Sequence, residues 1–361
     1  MGRFWHEMKR GKSKSFPRNV VFVDTETMEI GEDVDTKYQT LRLGMYNYTR
    51  YQDGFFSNYS HWGSFNKPEQ FWNDIISLCE PDRRLIVMAY NAGFDLRILH
   101  TFQILTKLGY AIDNFFIDQG CCIVEFKKDN HNIVILDAMN YFKGSLASWG
   151  KMLGLPKLDV DFRFSTDAEL LVYCKRDVEI LKTLWDKWVA FIRENKLGHY
   201  SATCASQALS AFKSTYMDNS IVIHNHKVAT AIERSAYYGG RTECFHVGKL
   251  SDGPYMKVDV NSMYPYIMTK QPVPVKLLRV VDGASVSQLK RALKKYAIVA
   301  QVTLKTKHRA YPMRRATGLC FPIGNFQTVL CSPELELAFK NKDIESVGLV
   351  ALYDQAIIFR R

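Results

Sequence analysis

The chain has 361 residues, 47% of them hydrophobic, and a formal net charge of +11 with a sequence pI near 9.1. That is enough apolar material for two cores, and a charged fraction of 24% excludes wholesale disorder. The cation surplus suits a polyanionic partner; no apolar run suffices to cross a bilayer, and none resembles a secretory h-region.

Residues 1–18 form a basic lead-in. In "NVVFVDTETMEI" that follows, Val20–Val23 read as a buried strand ending in two acids, Asp24 and Glu26, with Thr25 between them. Side chains two apart on a strand share a side. Two carboxylates facing one spot repel, so the spot is either open to water or neutralised by a cation. "LRLGMYNY" continues the sheet, "PEQFWNDIISLCE" is helical with Phe71, Ile75 and Leu78 on one stripe, and "RRLIVMAY" returns to strand. Asn91–Gly93 then turn, and Phe94–Asp95 open a helix whose first turn favours an acid. "CCIVEFKKDNHNIVILDAMN" reads as two strands joined by a polar turn at Lys127–Asn132.

Thr166 and Glu169 have capping-box spacing ahead of a long helix. Its apolar positions recur at Leu170, Cys174, Leu181, Leu184, Trp188 and Ile192, and it fades near residue 195, the expected domain boundary. Tyr173 and Asp177 stand one turn apart on the inward stripe. An inward aspartate needs a partner, either a buried Lys or Arg or a metal. Beyond the boundary come a helix near 203–217, the pair Gly239-Gly240, and a strand Met256–Val260 that delivers Asp259. Ser262-Met263-Tyr264-Pro265 then turn into a helix, with proline in its favoured first-turn position. Free amides at such a start can cradle phosphate. The eight cysteines contain no Cys-x-x-Cys pair, which argues against a thiolate zinc site and for reducing, cytoplasmic surroundings.

If Asp24, Glu26, Asp95 and Asp177 converge, their repulsion calls for roughly two divalent cations, the recurring apparatus of phosphodiester hydrolysis. All-oxygen ligands favour Mg²⁺ or Mn²⁺. Asp24-Thr-Glu26, Asn91-x-x-Phe94-Asp95 and Tyr173-x-x-x-Asp177 together resemble the three motifs of proofreading 3′–5′ exonucleases. The resemblance implies that Asp24, Glu26 and Asp177 ligate metal directly and Asp95 through water. It also implies that Tyr173 positions the attacking water while Asn91 and Phe94 hold the unpaired 3′ end. Ser145-Leu146 and Lys157 are similar to positions in protein-primed family B DNA polymerases that contact single strands and terminal protein, and that aid the exonuclease step. Tyr237-Tyr-Gly239-Gly240 resembles that family's template-coordinating motif. Asp259 through Tyr264 resembles its motif A, in which Asp259 and the Val260 carbonyl would hold metal, and Ser262 and Tyr264 would meet the incoming nucleotide.

The implied fold is α/β (α+β): a ribonuclease H-like exonuclease domain at 19–195, its mixed sheet flanked by helices, then a partial palm at 196–361. The family's Tyr-x-Asp-Thr-Asp hairpin and Lys-x-x-x-Asn-Ser-x-Tyr-Gly helix do not occur, and Asp282, Asp343 and Asp354 lie in no such context. The expectation is therefore one part of a split polymerase whose partner polypeptide brings motifs B and C and the thumb. DNA is the substrate, terminal protein a further partner, and the cytoplasm of a phage or mobile-element host the location. Two other readings stay open: a non-catalytic subunit gripping DNA or terminal protein, and a freestanding exonuclease with a vestigial palm.

Overall fold

The computed structural model describes residues 5–33, 36–52, 56–118, 120–250, 253–316 and 318–356. They fall into two compact units, Lys9–Ser220 and a second made of Met1–Met8 with Ile221–Arg361. The division thus comes at Ser220, and residues 9–18 and 196–220 pack with the first unit.

Strand β1 (Trp5–Met8) belongs to the second unit. The first contains β2 (Asn19–Asp33), β3 (Thr36–Gln52), β4 (Phe56–Phe65), α1 (Pro68–Ser77), β5 (Arg84–Ala89), α2 (Ala92–Ile98) and α3 (Thr101–Lys107). It continues with β6 (Ala111–Asp118), β7 (Cys121–Lys128), β8 (His131–Asp137), α4 (Leu146–Met152), α5 (Asp167–Glu194) and α6 (Cys204–Ala211). Seven strands make one mixed sheet in the order β4-β3-β2-β5-β8-β7-β6, with β2, β5 and β8 parallel at its centre.

Alternation along β2 sets the two layers. Val21 and Val23 face a core with Phe71 and Trp72 of α1 and Ala92 of α2. Val20 and Phe22 face Val178, Leu181 and Trp185 of α5. Asp24 and Glu26 share the second parity and so lie on the α5 side. The strand does not end at Val23 as its sequence suggests: β3 carries the ladder on, pairing Asp24 with Met45 and Glu26 with Leu43 before a bulge between Glu26 and Thr27. The parallel neighbour β5 stops earlier, at the Phe22–Met88 pair. The acids therefore stand at the carboxyl end of the parallel strands, where open α/β sheets bind ligands. The turn expected at Lys127–Asn132 is tighter, because Asp129 accepts a left-handed φ of 51° and lets Lys128 pair with His131.

Helix α5 begins with the anticipated capping box: Thr166 accepts from the Glu169 amide and Glu169 from the Thr166 amide. Its buried stripe holds Leu170, Tyr173, Cys174, Asp177, Leu181 and Trp185. Helix α6 passes into a π-helical turn at Phe212–Tyr216, so the run near 203–217 is helical in two geometries.

The second unit adds β9 (Ile221–His224), α7 (Lys227–Ser235), α8 (Met263–Lys270), β10 (Val273–Val281), α9 (Val286–Leu293) and β11 (Ala297–Thr306). It closes with β12 (Met313–Arg315), β13 (Gly318–Cys320), β14 (Gly324–Cys331), α10 (Ser332–Asn341) and β15 (Ile344–Ala356). An antiparallel sheet, β10-β15-β11-β14, packs α9 and α10 on one face and α7 on the other. One expectation needs correcting here. Met256–Val260 form no strand, and Met256, Val258 and Val260 are 86%, 80% and 68% exposed. Their alternating pattern has neither a partner strand nor a layer to pack on among the described residues, and a lone strand leaves its backbone groups unpaired.

Candidate active site

Three elements bring four acids together. Asp24 and Glu26 come from β2, Asp95 from the first turn of α2, and Asp177 from the inward stripe of α5. Glu26, Asp95 and Asp177 are buried, and Asp24 is partly so. Burial pushes the Asp24 carboxyl well above its ordinary pKa, and the charges of Asp95, Asp177 and Glu26 add to the rise. Glu26 is raised to about 7 by burial and then by Asp177, with Lys157 opposing. Asp95 is raised to about 7 by burial, against the Thr25 hydroxyl that donates to its Oδ1 at 2.7 Å. Thr25, between the two β2 acids, thus ties the opposite side of the strand to α2.

Lys157, in the loop between α4 and α5, places its ammonium 2.5 Å from Asp177 Oδ2 and 5.0 Å from the centre of the Tyr173 ring. Phe162 meets the same ring edge-on at 5.5 Å. Burial works against the Lys157 charge, but hydrogen bonds with Asp177 and Tyr173 outweigh it and hold its pKa above the ordinary value. Among the described residues this is the single ion pair within reach of the four acids. The other oxygen of Asp177, Oδ1, is buried without a hydrogen-bond partner. Four carboxylates against one ammonium, with an orphaned acceptor among them, fit hard divalent cations such as Mg²⁺ or Mn²⁺.

Two neighbours escape a reading of the sequence. Cys174 has the pattern of a core residue, yet its thiol lies 3.4 Å from Asp24 Oδ2, and ligand atoms of Asp24, Glu26 and Cys174 all sit within 4.8 Å of one another. Asp137, at the end of β8, accepts from the amides of Asn91 and Ala92 at 3.0 Å and of Met139 at 2.8 Å. It thereby fixes the left-handed Asn91 (φ 64°) that starts α2 and presents Asp95. The available signal is a second apolar run, "NIVILD", closed by an acid just as "NVVFVD" is.

Asn91 is exposed at that turn, and Phe94 packs partly against the α1-side core. Ser145 caps α4, accepting from the Ser148 amide at 3.1 Å, while Leu146 is buried against Ile180 and Leu184 of α5. In the second unit, Asp259 and Val260 lie in the exposed segment before α8, and Ser262 stands at the N-cap position of that helix with a left-handed φ of 56° and no side-chain capping bond. Gly239 needs its φ of 77°, and a Cβ on Gly240 would sit 3.0 Å from the Tyr264 hydroxyl. Tyr237 and Tyr264 are therefore on neighbouring segments. Tyr238 anchors this turn through Thr328 Oγ1 at 2.9 Å. Asp343 is a satisfied structural acid, accepting from Thr306 at 2.9 Å and Tyr311 at 2.7 Å.

The family model of "DNA polymerase type B, organellar and viral" matches residues 63–347. The chain belongs to that family. The match takes in Asn91–Asp95, Tyr173–Asp177 and Asp259–Tyr264, and begins beyond Asp24 and Glu26. Solved structures of the Phi29 DNA polymerase share the fold. Its ternary complex with primer-template DNA and incoming nucleotides aligns at a TM-score of 0.61 and 16% identity, over 95% of this chain and 62% of that one. Its complex with single-stranded DNA gives 0.59 and 16%, over 94% and 61%. The type B chain thus spans about three fifths of the length of these structures. No curated protein matches it. No helix among the described residues is long and apolar enough to cross a membrane.

Proposed function

We propose that the first unit is a proofreading 3′–5′ exonuclease that trims single-stranded 3′ ends during DNA replication. The observation that carries this reading is the nearness of Asp24 to Asp95, Asp177 and Glu26, with Lys157 paired to Asp177 and Asp177 Oδ1 left unpartnered. Asp24, Glu26 and Asp177 would hold Mg²⁺ or Mn²⁺, and Asp95 would act through water. Two such cations, when bound, supply a water of lowered pKa and stabilise charge on the attacked phosphate. Tyr173, held by Lys157 and Phe162, positions that water; Lys157 offsets phosphate charge; Asn91 and Phe94 hold the 3′ end, Phe94 against a base or sugar. The test is metal-dependent shortening of a 5′-labelled single strand. No shortening with either metal would discard the assignment.

Cation binding is expected to show in stability as well. Glu26 and Asp95 carry folded pKa values raised above their unfolded ones. For such acids stability is complete below the unfolded value, near 4, and falls as pH rises through about 7, by ~1.4 kcal/mol for each tenfold difference in proton affinity between the two states. The metal-free chain should therefore melt at lower temperature as pH increases across that window. Mn²⁺ should restore the loss, most at the alkaline end, as followed by calorimetry. A metal-free melting temperature that rises over the window would contradict the carboxylate cluster.

The second unit we read as the first part of a nucleotidyl-transfer site for primer-template DNA. Asp259 and the Val260 carbonyl would hold metal, Ser262 and Tyr264 would face the nucleotide, and Tyr237, Gly239 and Gly240 the template. The exposed Met256, Val258 and Val260 support a missing neighbour that completes their ladder. That neighbour would carry a second carboxylate. Ser145, exposed at the start of α4, would face single strands or a terminal protein; Leu146, expected to do the same, is instead buried against α5 and can only hold that turn in place. Primer extension is expected only when a polypeptide with the Tyr-x-Asp-Thr-Asp hairpin is added, and Asp259→Ala should remove it. Extension that survives Asp259→Ala would reject this site.

A further inference from the structure

A cleft of about 950 Å³ opens within the first unit, far along α5 from the acids. Arg10, Lys12, Lys14, Arg18, Arg193 and Lys196 line it, with no carboxylate in its wall. We propose that this cleft holds the phosphodiester backbone of a DNA strand, without regard to base. Arg193 and Lys196 stand at the C-terminal end of α5, where cations offset a helix dipole worth about half a charge. Six cations far exceed that need. Lys12, Lys14 and Arg18 have no ion-pair or hydrogen-bond partner for their side chains among the described residues. Like charges along a wall that holds no carboxylate repel, and a polyanion relieves the repulsion.

The lining aromatic, Phe16, packs partly against the core and has Arg193 5.8 Å from its ring centre, so one ring face is already engaged and cations dominate the wall. Recognition is thus of phosphate. Asp177 and Arg193 are about 24 Å apart at ~1.5 Å per helical residue, which makes this a second grip separate from the hydrolytic pocket. It adds to the exonuclease reading and does not depend on it.

The test uses the whole chain in EDTA, where nothing is hydrolysed, with labelled single-stranded and duplex oligonucleotides followed by anisotropy across a salt series. Lys12→Gln/Lys14→Gln/Arg18→Gln should flatten the slope of log K against log[salt] by about 2 for single strands and about 3 for duplex, three contacts at ~0.7 and ~0.9 each. Affinity at low salt should fall on the order of tenfold. The charge-keeping Lys12→Arg/Lys14→Arg/Arg18→Lys variant should restore both, and homopolymers of different base should respond alike. An unchanged slope overturns the proposal, and so leaves an acidic protein surface as the occupant. A loss seen with tripolyphosphate and not with DNA overturns it too, since the cleft then takes a free phosphate compound.

Discussion

The Asp24→Ala/Glu26→Ala variant is expected to shorten a labelled single strand at least about a thousandfold more slowly than the parent chain, and to melt higher than it in metal-free buffer at neutral pH. The first effect follows because the two β2 acids supply half of the carboxylates for the cations that activate water and stabilise the departing oxygen. The second follows from repulsion. Burial and the mutual charges of these groups hold Asp24 and Glu26 above their ordinary pKa values, so their removal relieves Asp95 and Asp177. A merely misfolded variant would lose both activity and stability. Lost activity with gained metal-free stability, and with no further gain on adding Mn²⁺, identifies a site whose acids cost stability until cations are present. Equal slow shortening by parent and variant would end the catalytic reading.

Lys157→Met should produce the opposite stability effect. Asp177 is 2% exposed and keeps one oxygen unpartnered even with Lys157 in place. Removing the ammonium strands a buried carboxylate, a change that costs about 3–5 kcal/mol when the remaining charge has no other partner. The metal-free variant should therefore melt well below the parent, and saturating Mn²⁺ should recover most of the difference. Its exonuclease rate should stay low after that recovery, on the order of a hundredfold down, because the phosphate charge that Lys157 offsets is still there. Lys157→Arg keeps the charge but not the compact ammonium beside the Tyr173 ring, and should recover stability ahead of rate. Full recovery of rate in Lys157→Met with Mn²⁺ would confine Lys157 to a structural part.

Much of the first unit is legible because its signals are local. The period of two in "NVVFVDTE" places Asp24 and Glu26 on one side whatever the neighbouring strands are. The Thr166–Glu169 box fixes the start of α5, and from there the helical period alone turns Asp177 and Tyr173 inward. What stays hidden depends on partners distant in the chain. Asp137 acquires its task only because β8 lies beside β5, and no local pattern reports strand order. Cys174 reads as an apolar filler until β2 is laid against it. Trp185, fully buried against Phe22, is less conspicuous in the pattern than Trp188, which is only partly covered. The Met256–Val260 pattern is a good strand by composition, yet a ladder needs a second strand that the described residues do not hold. In the closing segment, the antiparallel sheet is obscured because its strands pair out of chain order.

The overhang of β2 past the end of β5 makes the chemistry of the pocket a matter of counting. From Val20 onward each step along the backbone swaps sides, so deleting any one residue of Val20–Val23, with the strand's start held by its partners, would hand the places now held by Asp24 and Glu26 to Thr25 and Thr27. Composition, charge and core volume would hardly change, yet α5 would face hydroxyls in place of acids. In this unit, odd versus even is as strict a requirement as the identity of the side chains themselves.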